Sequence, residues 1–96
     1  MNGNDEPIEL PIDGTLDLHA FSPRDVPSVV EEYLHECRQR DIVDVRIIHW
    51  KGKGVQRAVV RRLLRTVPGV IGVADAPPGA GGFGATIVRL EKTTPD

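Results

Sequence analysis

Short apolar runs along the chain predict four β-strands. The first, T-L-D-L-H, alternates with a period of two, so its two leucines face one side while Asp17 and His19 face the other. The second and third are rich in β-branched residues, and the fourth, A-T-I-V-R-L, follows a glycine-rich loop. The predicted strands cover residues 15–19, 43–49 and 70–74, and run from Phe83 or Gly84 to Leu90.

Two longer segments carry apolar residues every three to four positions, which predicts amphipathic helices. The first begins after Ser22-Pro23, a hydroxyl N-cap followed by proline, and continues to about Arg40. Pro27 leaves two alternatives: it marks the true first turn with Val26 outside the helix, or the first turn is distorted. The second helix is predicted from about Gly54 to Val67, before Pro68-Gly69.

The order of these elements, β-α-β-α-β-β, predicts one α/β domain. A helix between the first two strands makes them parallel, and both helices should cover one face of a four-stranded mixed sheet. The first 13 residues are acidic and contain two prolines, which predicts an extended arm. The expected organisation is an N-terminal arm at 1–13, a domain at 14–92 and a short tail at 93–96.

This topology gathers polar residues at one edge of the sheet. Parallel strands end at the same edge, and ligands of open α/β sheets bind there. The first strand brings Asp17 and His19 to that edge, and the second brings His49. A fourth strand running antiparallel to these would start there too and bring the loop G-G-F-G alongside, with Gly81, Gly82 and Gly84.

Residues 47–57, I-I-H-W-K-G-K-G-V-Q-R, have the composition of an anion-binding loop. Glycine N–H groups can approach a phosphate closely, and a helix N-terminus adds roughly half a positive charge. The alternative interpretation is a plain strand-to-helix turn with solvated lysines. The predicted phosphate-binding residues in and after this loop are Lys51, Gly52, Lys53, Gly54, Arg57 and Arg61.

Charge is divided unevenly along the chain, although the net charge is only −2. Residues 1–44 hold eleven acids and three arginines, whereas residues 45–74 hold seven bases and no acid. A basic segment of this kind is typical of proteins that bind a phosphate backbone. A solvated cationic helix face packed near an anionic one would show the same pattern.

Composition excludes several other classes of protein. The chain has 96 residues, 40% hydrophobic and 27% charged, as expected of one globular domain. No apolar run approaches the ~20 residues of a membrane span, and the acidic N-terminus argues against a signal peptide. The lone cysteine, Cys37, falls on the apolar side of a predicted helix and is expected in the core. We therefore expect a cytoplasmic protein without a membrane partner.

Three segments of the chain together resemble the motifs of the Smr (small MutS-related) domain family, particularly its stand-alone bacterial members. Residues 16–19, L-D-L-H, match the family's L-D-x-H, and residues 47–54, I-I-H-W-K-G-K-G, resemble its H-G-K-G-x-G segment. Residues 81–90 are very similar to its G-G-x-G-A-T-x-V-x-L ending. The motifs occur in the family's order, and the resemblance covers about residues 8–91.

The resemblance implies a two-layer α/β sandwich similar to the C-terminal domain of translation initiation factor 3. It also implies binding of DNA or RNA and, as in several members, an endonuclease activity that nicks phosphodiesters, often with Mg²⁺ or Mn²⁺. Two residues depart from the motifs: Ala20 replaces a glycine, and Trp50 replaces the first glycine of H-G-K-G. The indole of Trp50 either packs within the protein or offers a surface on which bases stack.

The expected function is a nucleic-acid-binding domain with DNA or RNA endonuclease activity. His19 would act as general acid or base, and Asp17 would orient its ring or hold a metal ion. His49 would position the phosphate or assist proton transfer. The alternatives are a module that binds nucleic acid without cutting it and a protein-interaction domain. A monomer is expected rather than an oligomer.

Overall fold

A computed structural model describes residues 11–49 and 55–92 of the chain. Within these ranges, four strands and two α-helices follow one another in the predicted order. Neither helix there is long and apolar enough to cross a membrane. The elements are β1 (Thr15–Asp17), α1 (Val26–Gln39), β2 (Asp44–Ile48), α2 (Val55–Leu64), β3 (Val70–Asp75) and β4 (Ala85–Leu90).

The four strands form one mixed sheet in the order β1-β2-β4-β3. β1 and β2 are parallel, as the helix between them requires, and β4 runs antiparallel to both of its neighbours. β3 therefore points in the same direction as β1 and β2. The predicted four-stranded mixed sheet is confirmed.

Both helices pack on one face of this sheet, as predicted. Alternate strand residues point toward them and form one apolar cluster with the inward residues of α1 and α2. Cys37 lies in that cluster, and burial raises the pKa of its thiol to about 11. The thiol is therefore an inert part of the core at neutral pH. The cluster includes Leu16, Val30, Leu34, Val45, Ile47, Val60, Leu64, Val88 and Leu90.

The first predicted strand is longer than the observed one. β1 ends at Asp17, and Leu18–Ala20 form a 3-10 turn. The Asp17 carboxylate caps this turn by accepting a hydrogen bond from the backbone N–H of His19 at 2.9 Å. An aspartate that bonds the backbone two residues ahead favours a turn over a strand. His19 therefore lies on a turn, and its predicted place on a strand face beside Asp17 is wrong.

The start of α1 also differs from the prediction. A 3-10 turn, Pro23–Asp25, precedes the helix, and the Ser22 hydroxyl donates to the Asp25 carboxylate at 3.0 Å without capping a backbone N–H. Val26 is helical and Pro27 lies in the first turn, where its missing N–H leaves no helical bond unmade. The alternative that placed Val26 outside the helix is therefore wrong.

Tyr33 joins α1 to the chain that leads into β1. Its hydroxyl accepts from the buried N–H of Gly14 at 3.1 Å and donates to the carbonyl of Thr15 at 3.0 Å. Burial is also the main cause that raises the pKa of the Tyr33 phenol.

Residues 1–10 and 93–96 lie outside the described residues, so the predicted arm and tail stay predictions.

Replacing Tyr33 with Phe should lower the free energy of unfolding by about 1–3 kcal/mol, because the buried Gly14 N–H loses its acceptor while the ring stays in place. Urea denaturation followed by circular dichroism measures this change. Glu32→Gln, at an exposed position of the same helix, is the matched control and should leave the midpoint unchanged. Equal midpoints for Tyr33→Phe and the wild type would contradict the anchoring role.

Candidate functional site at the sheet edge

The strand registers place residues from all four strands in one row. Asp17 pairs with Ile48, which in turn pairs with Ala85. Ala76, directly after β3, donates its N–H to the carbonyl of Ala85 at 3.1 Å. Neighbouring strands lie about 4.8 Å apart, so this row spans roughly 14 Å. The predicted meeting of the ends of β1 and β2 with the start of β4 is confirmed, and the end of β3 joins them.

His49, directly after β2, is held from two sides. Its backbone N–H donates to the carbonyl of Gly84 at 2.9 Å, which ties the end of β2 to the glycine-rich loop. Its Nε2 lies 2.8 Å from the hydroxyl of Thr86, and which of them donates depends on the imidazole tautomer. Both side chains are buried, with His49 only 2% exposed. The imidazole is therefore fixed beneath the surface of the edge.

Thr86 was missed as a site residue by the sequence reasoning, although it lies in the third motif. The sequence placed it in the fourth predicted strand and gave it no role. The signal that could have found it is a hydroxyl on the inward face of a strand, because a buried hydroxyl requires a hydrogen-bond partner. His49 is that partner.

Asp17 and His19 lie on the exposed part of the edge. The Asp17 carboxylate accepts a hydrogen bond from the backbone N–H of His19, and its predicted interaction with the ring of His19 stays a prediction. The carboxylate thereby fixes the turn that carries the imidazole. The acid–base role of His19 stays a prediction.

Arg57 and Arg61, predicted as phosphate-binding residues, both contact Asp75 at the end of β3. The Nε and Nη2 atoms of Arg57 donate to the two carboxylate oxygens at 2.7–3.1 Å, and Nη2 of Arg61 donates to Oδ1 at 2.8 Å. These bonds, first of all that from Arg57, lower the pKa of Asp75. Two guanidinium groups share one carboxylate, so the cluster keeps a net positive charge.

Asp75 escaped the sequence reasoning because it lies one residue beyond the acid-free segment. Each of the three side chains is about a third exposed, with relative accessible areas of 31–36%. Ion pairs at this exposure contribute about 0–1 kcal/mol to stability. The main effect of the cluster, named here the Arg57–Asp75–Arg61 cluster, is therefore to orient the two arginines.

The glycine-rich loop meets the same edge. Gly81 has φ +121°, and a Cβ there would lie 2.8 Å from the Cβ of Ala85. Gly82 has φ +55°, also in the left-handed region. Packing against β4 is therefore one reason that position 81 needs glycine. The predicted contact of Gly81, Gly82 and Gly84 with phosphate stays a prediction.

The predicted phosphate loop, Lys51, Gly52, Lys53 and Gly54, lies outside the described residues, as does Trp50. In residues 11–49 and 55–92, no three His, Cys, Asp or Glu side chains are grouped so that they could hold a metal ion. Asp17 could supply one carboxylate ligand to such an ion. Mg²⁺ is commonly bound through one or two carboxylates together with substrate phosphates.

Comparison with known protein sequences shows which family the chain is similar to. The family model described as the Smr domain matches residues 16–91. The chain is 37% identical over 75 residues to Endonuclease MutS2 of Thermus thermophilus, which covers 78% of this chain and 10% of that protein. It is 38% identical over 76 residues to Endonuclease MutS2 of Carboxydothermus hydrogenoformans, covering 79% and 10%. The chain therefore spans about a tenth of the length of these relatives.

Two solved structures share the fold. The Smr domain of Thermus thermophilus MutS2 superposes with a TM-score of 0.76 at 35% identity, covering 82% of this chain and 99% of that one. YdaL, a stand-alone small MutS-related protein from Escherichia coli, gives a TM-score of 0.77 at 27% identity, covering 82% and 65%. With the motifs, the family model and the fold in agreement, the chain belongs to the Smr domain family.

Proposed function

We propose that this Smr domain binds DNA or RNA at the sheet edge and cleaves a phosphodiester bond there. The observation that carries the proposal is that an exposed histidine turn and a fixed arginine cluster lie along one sheet edge, at its β1 and β3 ends. An acid–base group and a cationic phosphate site are the two components that phosphodiester cleavage requires. The relatives named Endonuclease MutS2 support the same reaction class.

Binding would begin with the phosphates. A guanidinium group carries five N–H donors, so Arg57 and Arg61 can bond Asp75 and still offer donors to a phosphate. Because Asp75 already holds them, the two arginines lose little conformational freedom when the phosphate arrives. The lysines of the predicted loop, Lys51 and Lys53, would add to this charge.

Cleavage would then require the attacking oxygen to lose a proton and the leaving oxygen to gain one. The neutral imidazole of His19 would take the proton of the attacking hydroxyl, from water or from an RNA 2′-hydroxyl, as its oxygen bonds to phosphorus. The bond from phosphorus to the leaving oxygen breaks, and that oxygen accepts a proton from a general acid or from water. Lys51 and Lys53 of the predicted loop would stabilise the negative charge that develops on the phosphoryl oxygens. The two arginines, at the β3 end of the edge, would hold a neighbouring phosphate.

The remaining predicted side chains, Asp17 and His49, would hold other parts of the site in place. Asp17 fixes the turn of His19, and the buried His49 fixes the end of the glycine-rich loop through Gly84. If Mg²⁺ or Mn²⁺ takes part, Asp17 would be its ligand and the ion would neutralise phosphate charge. The cytoplasmic location and the monomeric state remain expectations.

A module that binds nucleic acid without cutting it is the second candidate. The burial of His49 favours it, because one of the two histidines predicted to be catalytic is only 2% exposed. Binding and cleavage are therefore tested separately.

Replacing Arg61 with Gln should weaken binding and lower its dependence on salt. Each lost phosphate contact reduces the log–log slope of affinity against salt by about 0.9 for duplex DNA or 0.7 for single strands. Asp75 keeps its bidentate partner Arg57, so the fold should be preserved. The measurement is fluorescence anisotropy with labelled oligonucleotides between 50 and 200 mM salt. Over this range of salt, the affinity of a protein with many phosphate contacts falls by about 10³–10⁵.

Arg40→Gln removes the same charge at the far end of α1 and is the matched control for this experiment. It should leave both affinity and salt slope close to those of the wild type. Equal slopes for Arg61→Gln and the wild type would show that Arg61 does not meet a phosphate.

Replacing His19 with Ala should lower the cleavage rate by roughly 10²–10⁴ while the dissociation constant changes only a few-fold, since a positioned acid–base group contributes about that factor. Asp17→Asn should also lower the rate, because an amide lacks the charge that stabilises an imidazolium. The assay is nicking of supercoiled plasmid and cleavage of structured RNA, each with EDTA, Mg²⁺ and Mn²⁺.

His35→Ala is the matched control, since His35 is an exposed histidine on α1. It should cleave at the wild-type rate. Cleavage by His19→Ala at that same rate would assign the activity to other groups or to a contaminating nuclease, and the domain would then be a binding module.

A further inference from the structure

Phe83 is an exposed aromatic residue beside the Arg57–Asp75–Arg61 cluster. Its side chain is 66% exposed, and the guanidinium carbon of Arg57 lies 5.4 Å from the centre of its ring. This distance is within the range of a cation–π contact. Among the described residues, the exposed large apolar side chains are Ile71, Val73 and Phe83, and only Phe83 is aromatic.

The loop that carries Phe83 is fixed by its own hydrogen bonds. The N–H groups of Ala80 and Gly82 both donate to the carbonyl of Pro77, at 2.8 and 3.0 Å, and Gly84 donates to Gly81 at 2.9 Å. Gly81 packs so closely on β4 that a side chain would not fit. The aromatic ring is therefore presented in a preformed position, which reduces the entropy lost when a ligand binds.

The charge around the ring selects among partners. Arg57 is held by both oxygens of Asp75, and the Arg57–Asp75–Arg61 cluster keeps one net positive charge beside the ring. An apolar peptide would use the ring but gain nothing from fixed cations. A nucleotide uses both, because its base stacks on an aromatic face and its phosphate pairs with guanidinium groups.

We propose that Phe83 is a stacking platform for one unpaired base, with Arg57 and Arg61 taking the adjacent phosphate. This inference rests on the proposed nucleic-acid binding at the sheet edge. Gly84, the next residue, bonds the backbone of His49, so the stacked nucleotide lies beside the site. A base inside a duplex does not expose its face, so the platform gives the domain a preference for unpaired nucleotides.

The test compares the affinity of the whole chain for three oligonucleotides of equal length. One is a single strand with bases, the second is the same strand with abasic sites, and the third is a blunt duplex. The wild type should bind the base-bearing strand roughly 5- to 150-fold more tightly than the abasic strand, the effect of one stacked base. It should also favour the single strand over the duplex.

Phe83→Ala should bind the base-bearing and abasic strands alike, whereas Phe83→Trp should keep the wild-type preference. Ile71→Ala is the matched control, because Ile71 is an equally exposed apolar side chain on β3. It should leave the preference unchanged. Thermal unfolding of each variant verifies that the fold is intact.

Three results would overturn the platform. Equal affinity of the wild type for base-bearing and abasic strands, or an unchanged preference in Phe83→Ala, would remove the platform and leave nucleic-acid binding standing. Self-association of the wild type that Phe83→Ala abolishes in sedimentation, with no base preference, would assign the ring to a protein contact. Failure to bind any strand at low salt would instead reject the proposed function itself.

Discussion

The antiparallel pairing of β2 with β4 is the contact on which the site depends. Its register sets Ile48 opposite Ala85, and one step further the N–H of His49 reaches the carbonyl of Gly84. A slip of one residue would move His49 from the inward face, where Thr86 meets it, to the opposite face of the sheet. One hydrogen-bonded ladder thus fixes the histidine and the glycine-rich loop together.

Asp75 organises the other side of the edge in a similar way. It joins α2 to the end of β3, and through Arg57 it also reaches the ring of Phe83. An aspartate is ionised at neutral pH, so the pairing of both arginines with Asp75 is maintained there. The site combines a rigid apolar support with charges that are oriented before any ligand binds, which is the arrangement that electrostatic catalysis and phosphate binding both favour.

The order of the elements and the packing of both helices on one face of the sheet could be predicted from the sequence. Apolar residues repeat with a period of two in strands and 3.6 in helices, and each period identifies the buried face of its element. The predicted topology likewise placed Asp17, His49 and Gly84 at one edge. Side-chain partners were harder to predict. Asp75 meets Arg57 across 18 residues only because β3 lies beside α2. The 3-10 turn of His19 has no periodic signal, and the outward direction of Phe83 depends on a loop whose glycines adopt positive φ.

The central claim is that nucleic acid binds the edge where β1 and β2 end and β4 begins. Titration of a single-stranded oligonucleotide into ¹⁵N-labelled protein at low salt, followed by amide chemical shifts, measures this most directly. The largest shifts should come from His19, His49 and residues 81–85, with little change near Arg40 at the far end of α1. Shifts confined to that far end, or no shifts at all, would contradict the claim.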